Sequence, residues 1–398
     1  MRGLPAEGSV MALFAHGFRP FFLMAGLVAP VGVGLWALSF AGVPLPDGPL
    51  PMMRWHAHEL LTGFIGAAMV GFLMTAIPNW TGRRGYAGLP LMLIAALFLA
   101  ARLAMLPGSP VPADIALGLA LVPLPATMLL VLPALIKARA ARLFGPPVLV
   151  LAFWSGQLMM AGDAAGWWDR PGWATGQQLM ADMALVLVGL IGGRIVPAFT
   201  VNALRKAGRP VELAPLPGVD RAAILALVGV AVVDLVAPGG VAAGLVAAVA
   251  AACIALRLSR WHGLRTLHEP LLCVLHLAYL LVALALALKA AALLGGFAWS
   301  AAWLHLQLAG AIAMMIVAVM TRATLGHTGR GLAASAMTTA AYVALLAAAL
   351  LRVFGGVALA DPFPGLIGAA LLWVLAFVLF LAAYGPMLLL PRPDGKPG

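Results

Sequence analysis

The chain has 398 residues, of which 64% are hydrophobic and 9% charged, with a formal net charge of +11. A water-soluble domain carries about a quarter charged residues, so this composition excludes one. The positive residues lie in short loops between apolar runs, which excludes a nucleic-acid-binding domain, and the number of those runs excludes a lone signal peptide.

Spanning the hydrocarbon of a bilayer takes about 20 apolar residues. Runs of that kind, bounded by proline, glycine and charge, predict an all-α, polytopic membrane protein with about twelve transmembrane helices. In the first half they cover 21–42, 58–78, 88–106, 112–136, 144–163 and 175–197. In the second half they cover 220–237, 239–257, 270–294, 299–321, 332–355 and 363–390. Only Ala237-Pro238-Gly239-Gly240 separates the seventh run from the eighth, and merging them would put the termini on opposite sides. Charge arbitrates. With twelve spans and an inside N-terminus, five of the 24 Lys and Arg fall outside or at outer helix ends (Arg54, Arg102, Arg170, Lys289 and Arg352), leaving 19 inside. The positive-inside rule then makes both termini cytoplasmic. No segment is long enough for a separate soluble domain, so 12–390 reads as a single transmembrane domain. Cys253 and Cys273 both sit in apolar runs and read as small buried hydrophobes, with no disulfide framework and no CxxC pair.

Three helix ends resemble one another: IPNWTGR (Ile77 to Arg83), VPAFT (Val196 to Thr200) and LGHTGR (Leu325 to Arg330). Aligning Thr81, Thr200 and Thr328 and stepping back 23 residues lands on His58, Gln177 and His305, all near the outer starts of their helices. Pro20, Pro147 and Pro270 open the first, fifth and ninth runs at intervals of 127 and 123 residues. These anchors predict three parallel four-helix repeats, 12–137, 138–258 and 262–390. An even helix count gives each unit the same orientation.

An ionisable or coordinating side chain inside a span is costly, so each is a candidate for function. In WHAHE (Trp55 to Glu59), His56 and His58 are two residues apart and point to different helix faces, unless His56 precedes the first turn. Gly63 and Gly66 follow His58 on roughly the same side, where they would let a helix or a flat macrocycle approach. His305 lies some six residues into its helix, roughly 9 Å deep at 1.5 Å per residue. His58 and His305 thus approach similar depth from two helices, an arrangement that can hold a haem iron on both axial sides. His276 enters from the inner side and His327 sits just past the tenth run, where the two would form an inner metal or haem site or cap helices. His16, His262 and His268 read as interfacial and solvated. Arg352 and Arg54 are the outer candidates for pairing haem propionates, and each also reads as a plain interfacial anchor. Arg194 and Arg322 snorkel. Acidic residues within spans are few, and Asp182 and Asp234 are the ones that stand out; Asp182 would pair with an arginine or serve a proton path. No P-loop, HExxH or CxxC motif is present, and no Ser-His-Asp constellation stands out.

HGFRPFF (His16 to Phe22), WHAHE, AIPNWTGR (Ala76 to Arg83), GGRIVPAFT (Gly192 to Thr200), EPLLCVLHLAY (Glu269 to Tyr279) and MTRATLGHTGR (Met320 to Arg330) together resemble the NnrS family, from about residue 12 to 385. That resemblance implies a bacterial inner-membrane protein containing haem and copper, associated with denitrification and tolerance of nitric oxide. More remotely, twelve spans in three arcs are similar to the core subunit of haem-copper oxidases. His58 and His305 match its haem ligands on helices two and ten. Gln177 stands where a copper ligand is expected, and helix seven has no histidine.

The leading expectation is a b-type haem held by His58 and His305 near the outer face, with nitric oxide or a related small molecule as ligand. Copper would use His56 with Glu59 or His305, or the inner pair His276 and His327. A multi-helix transporter using intramembrane histidines is the rival from another class, beside a haem-copper-oxidase-like redox enzyme and a structural partner of denitrification complexes. The lipid bilayer is the one partner the residues demand; oligomeric state is not encoded legibly.

Overall fold

A computed structural model of the chain describes residues 12–213, 216–300, 302–358 and 361–395. Among the described residues every regular element is helical. In chain order the main helices are α1 (Phe18–Phe40), α2 (Met52–Thr81), α3 (Leu89–Ala104), α4 (Ala113–Ala138), α5 (Gly145–Ala164) and α6 (Trp173–Lys206). They continue with α7 (Pro217–Val236), α8 (Val241–Ser259), α9 (Pro270–Gly295), α10 (Trp303–His327), α11 (Ala336–Ala358) and α12 (Pro362–Leu389). Each of the twelve predicted runs falls on one of these helices. Among the described residues nine are long and apolar enough to cross a membrane; α3 is apolar but shorter. The doubtful boundary between α7 and α8 is a true turn, with Gly239 at φ +75°. The chain ends, whose sidedness was predicted from charge, lie outside the described residues.

Aliphatic side chains such as Leu129, Ile136, Val236 and Leu371 stand exposed along the helices, as lipid-facing side chains do. Two compact units are present. One is drawn from Met1–Met180, Met320–Leu332 and Phe377–Gly398, the other from Ala181–Val319 and Ala333–Ala376.

Within the first unit, proline sets the repair work. Pro125 has no N–H to offer the carbonyl of Leu121, four residues back in α4. The Trp154 indole of α5 donates to that carbonyl at 2.9 Å, and the Gln157 amide donates to the neighbouring Ala120 carbonyl at 2.7 Å. In hydrocarbon an unmet carbonyl has no water to turn to, so neighbouring side chains must supply the donor. Arg19 serves the end of α12 in the same way, donating to the carbonyls of Met387, Leu388 and Leu390 at 3.3, 3.1 and 2.8 Å.

The second unit repeats the logic around Pro197. That residue leaves the Gly193 carbonyl of α6 without its helical donor. Arg257 of α8 donates there at 3.4 Å, to the Gly189 carbonyl at 2.9 Å and to the Tyr279 hydroxyl at 2.9 Å, while Asp220 accepts its Nε–H at 2.7 Å. A Cβ on Gly193 would occupy the guanidinium position. Gly193→Ala therefore displaces Arg257 and strands these carbonyls. The expected loss is on the order of 1–3 kcal/mol, seen as a lower unfolding midpoint in detergent. An unchanged midpoint would show that Arg257 finds equivalent partners elsewhere.

The three aligned threonines share one local device. Thr81, Thr200 and Thr328 each donate to the carbonyl four residues back, at 2.8, 2.9 and 2.6 Å. Such back-bonding hides a hydroxyl inside an apolar helix.

Candidate functional site

The segment after His58 is not α-helical. Glu59–Ile65 forms a seven-residue π-helix inside α2, closed by the Gly66 N–H reaching the Leu61 carbonyl five residues back. The same thing happens in the other unit. Leu306–Ile312 forms a seven-residue π-helix directly after His305, closed by the Ala313 N–H on the Leu308 carbonyl. Both histidines head the pattern His-x4-Gly-x-Ile, through Gly63 and Ile65 in one case and Gly310 and Ile312 in the other. π-Segments are rare and concentrate at functional sites.

His58 is wholly buried in the first unit. Its Nδ1 lies 2.9 Å from Glu59 Oε1, and Arg102 of α3 donates to the same oxygen at 2.7 Å. Arg102 also donates to the Thr62 hydroxyl at 2.7 Å, which in turn donates to the His58 carbonyl at 2.7 Å. A carboxylate held by a guanidinium can only accept, so His58 Nδ1 carries its proton. The lone pair is thereby left on Nε2, which has no hydrogen-bond partner among the described residues. A buried acceptor without a donor costs about 1–3 kcal/mol. Metal-ligating histidines in general turn their second nitrogen to a carboxylate or carbonyl that fixes the tautomer and raises basicity.

The glycine at position 63 is needed for this packing, but not as a seat for a macrocycle. A Cβ there would lie 2.7 Å from Val28 and 3.2 Å from the Arg102 side chain, so Gly63 admits Arg102. Arg102 and Thr62 escaped the sequence reading, which placed Arg102 at an outer helix end. An arginine inside the apolar run Ala100-Ala101-Arg102-Leu103 was the available signal.

The remaining candidates sort by unit. His56 lies inside the helix, not before its first turn, and points away from His58: its Nδ1 sits 3.3 Å from the Gly32 carbonyl and its ring 5.2 Å from that of Trp36. Arg54 pairs with Asp163 at 3.0 Å and stacks over Trp173. His305 is half-buried in the second unit, and so is Arg352. His276, also in the second unit, is buried with Nε2 2.8 Å from the Thr200 hydroxyl, and its Nδ1 abuts Gly263, where a Cβ would come within 2.6 Å. His327 belongs to the first unit, where its ring lies tilted 5.2 Å from that of His16 and 5.5 Å from that of Phe18. His16 is therefore not simply solvated. Burial, followed by the neighbouring His327, Arg19 and Arg392, lowers its pKa to about 4, so it is neutral at physiological pH. Asp234 forms a buried ion pair with Lys289, whose ammonium lies 4.6 Å from the Trp303 ring.

Among the described residues no group of three or more His, Cys, Asp or Glu side chains is gathered to hold a metal ion. One imidazole suffices as an axial haem ligand, and His58 fits that part; the described residues assemble no comparable donor set for copper.

No curated protein matches the chain. A family model described as NnrS protein matches residues 12–392, nearly the whole length, and the chain therefore belongs to the NnrS family.

Proposed function

We propose that the protein is a haem-bearing, multi-pass protein of the bacterial inner membrane that serves the nitric oxide response, with His58 as an axial ligand. The observation that carries the reading is the buried Nε2 lone pair of His58, free while Glu59 holds the opposite nitrogen. His305 is proposed as a haem ligand on its own local grounds, since it heads the same π-helical turn. Twelve membrane crossings, cytoplasmic termini and three four-helix repeats complete the proposal; the shared threonine device and the two π-helices support the repeat.

A haem bound there supplies an iron that nitric oxide can ligate. The chain contributes the rest. Glu59 keeps the His58 proton on Nδ1, Arg102 holds the Glu59 carboxylate in place, and Thr62 fixes the guanidinium. The surrounding apolar helices exclude water from the imidazole.

The test is a reduced-minus-oxidised absorption spectrum of the purified protein, taken with its iron content. A Soret band with sharp low-spin features is expected, and it should respond to nitric oxide. A colourless, well-folded protein would overturn the reading and leave transport through buried ionisable groups as the one to pursue.

A further inference from the structure

A cavity of about 280 Å³ opens in the second unit, at the end where α6 leaves its span and α9 enters its own. Arg209, Arg265, Thr266, His268 and Glu269 line it. A water takes up about 30 Å³, so the space holds a group of several heavy atoms. Neither arginine is ion-paired among the described residues, although Glu269 lines the same cavity. Two exposed guanidinium groups and an imidazole thus line one partly open recess. Guanidinium forks match the oxygens of phosphate and carboxylate groups.

The turn that carries Arg265 also shows where the cavity stands. Leu264 is 84% exposed and Leu267 62% exposed, on either side of Arg265 and Thr266. Large apolar side chains standing out at the end of membrane-spanning helices, beside arginines, describe a segment seated at the headgroup boundary. The leucines reach into acyl chains while the arginines meet what lies at the surface. Charge narrows the occupant further. Two guanidinium groups and the Glu269 carboxylate sum to a single positive charge, which suits a monoanionic phosphodiester better than a dianionic free phosphate.

We propose that this cavity binds the phosphodiester headgroup of an anionic phospholipid, with Arg209 and Arg265 pairing the phosphate oxygens and Leu264 and Leu267 flanking the acyl chains. The site is separate from His58, and its test does not depend on haem.

Native mass spectrometry of the detergent-purified full chain, with phosphatidylglycerol or phosphatidylcholine added, reads the binding directly. Phosphatidylglycerol should be retained in preference to phosphatidylcholine. The double variant R209Q/R265Q should bind it about thirtyfold more weakly, as expected for losing two charge contacts at a headgroup. The variant K137Q/R139Q removes the same charge from exposed positions in the other unit and should bind as the wild type does. Equal retention of the two lipids, or equal binding by the two double variants, overturns the proposal. Displacement of phosphatidylglycerol by millimolar inorganic phosphate overturns it in favour of a free-phosphate site.

Discussion

Replacing His58 with alanine is expected to strip the purified protein of the haem signal associated with that ligand. Loss of the group that hydrogen-bonds the far nitrogen of a metal-ligating histidine typically lowers metal affinity 10–100-fold, so deleting the ligand itself should exceed about tenfold. The geometry makes the result specific. His56 is two residues away in the same helix, yet its ring turns to Trp36 and the Gly32 carbonyl, so His56→Ala should keep its colour. His58→Gly leaves room for an imidazole, and added imidazole should restore the band if the defect is a missing ligand rather than a collapsed helix. Glu59→Gln sits between these extremes: it retains a hydrogen-bonding side chain but removes the charge that fixes the His58 tautomer, and a 10–100-fold loss of haem affinity is expected. Full haem occupancy in His58→Ala would remove this residue from the site. His276, buried with one nitrogen also unpartnered, would then be the next to test.

Much of the fold was legible because hydropathy acts over long windows. Each run of apolar residues had no stable alternative to a helix, since backbone polar groups in hydrocarbon must be satisfied within the segment. Even the Pro238-Gly239-Gly240 break read correctly. His58 and Glu59 were legible for a related reason, as polar groups stand out against an apolar background. What sequence could not supply was the partner of each polar group. Arg102 meets Glu59 across 43 residues, and Arg54 meets Asp163 across 109. Charge counting put both arginines at the outer boundary, where one found a buried carboxylate and the other a half-exposed ion pair. His327 has His16 as a ring neighbour, more than 300 residues away in the chain. The π-helices were missed because no propensity scale separates them from α-helix. Their sequence trace, glycine five residues after each histidine, gained meaning only once the backbone was seen.

Glu59 also carries a structural charge that separates folding from function. Its carboxylate and the Arg102 guanidinium are both buried, so removing one partner strands the other. Glu59→Leu and Arg102→Leu should each cost about 3–5 kcal/mol, the range for breaking a buried pair. The double variant Glu59→Leu/Arg102→Leu leaves no charge behind and should cost much less than the sum of the two, because apolar replacement of a whole buried pair is often neutral. Denaturant or thermal unfolding of the four proteins in one detergent gives the cycle; additive single effects would mean the two side chains do not act as a pair. Haem affinity should follow a different pattern. In the double variant Nδ1 of His58 has lost its carboxylate, so its proton is no longer directed there and Nε2 is no longer reserved as the ligand. Stability should therefore recover while haem affinity stays low. If both recovered together, Glu59 would be serving only to neutralise Arg102, and the imidazole would be oriented by Thr62 and the π-helical backbone alone.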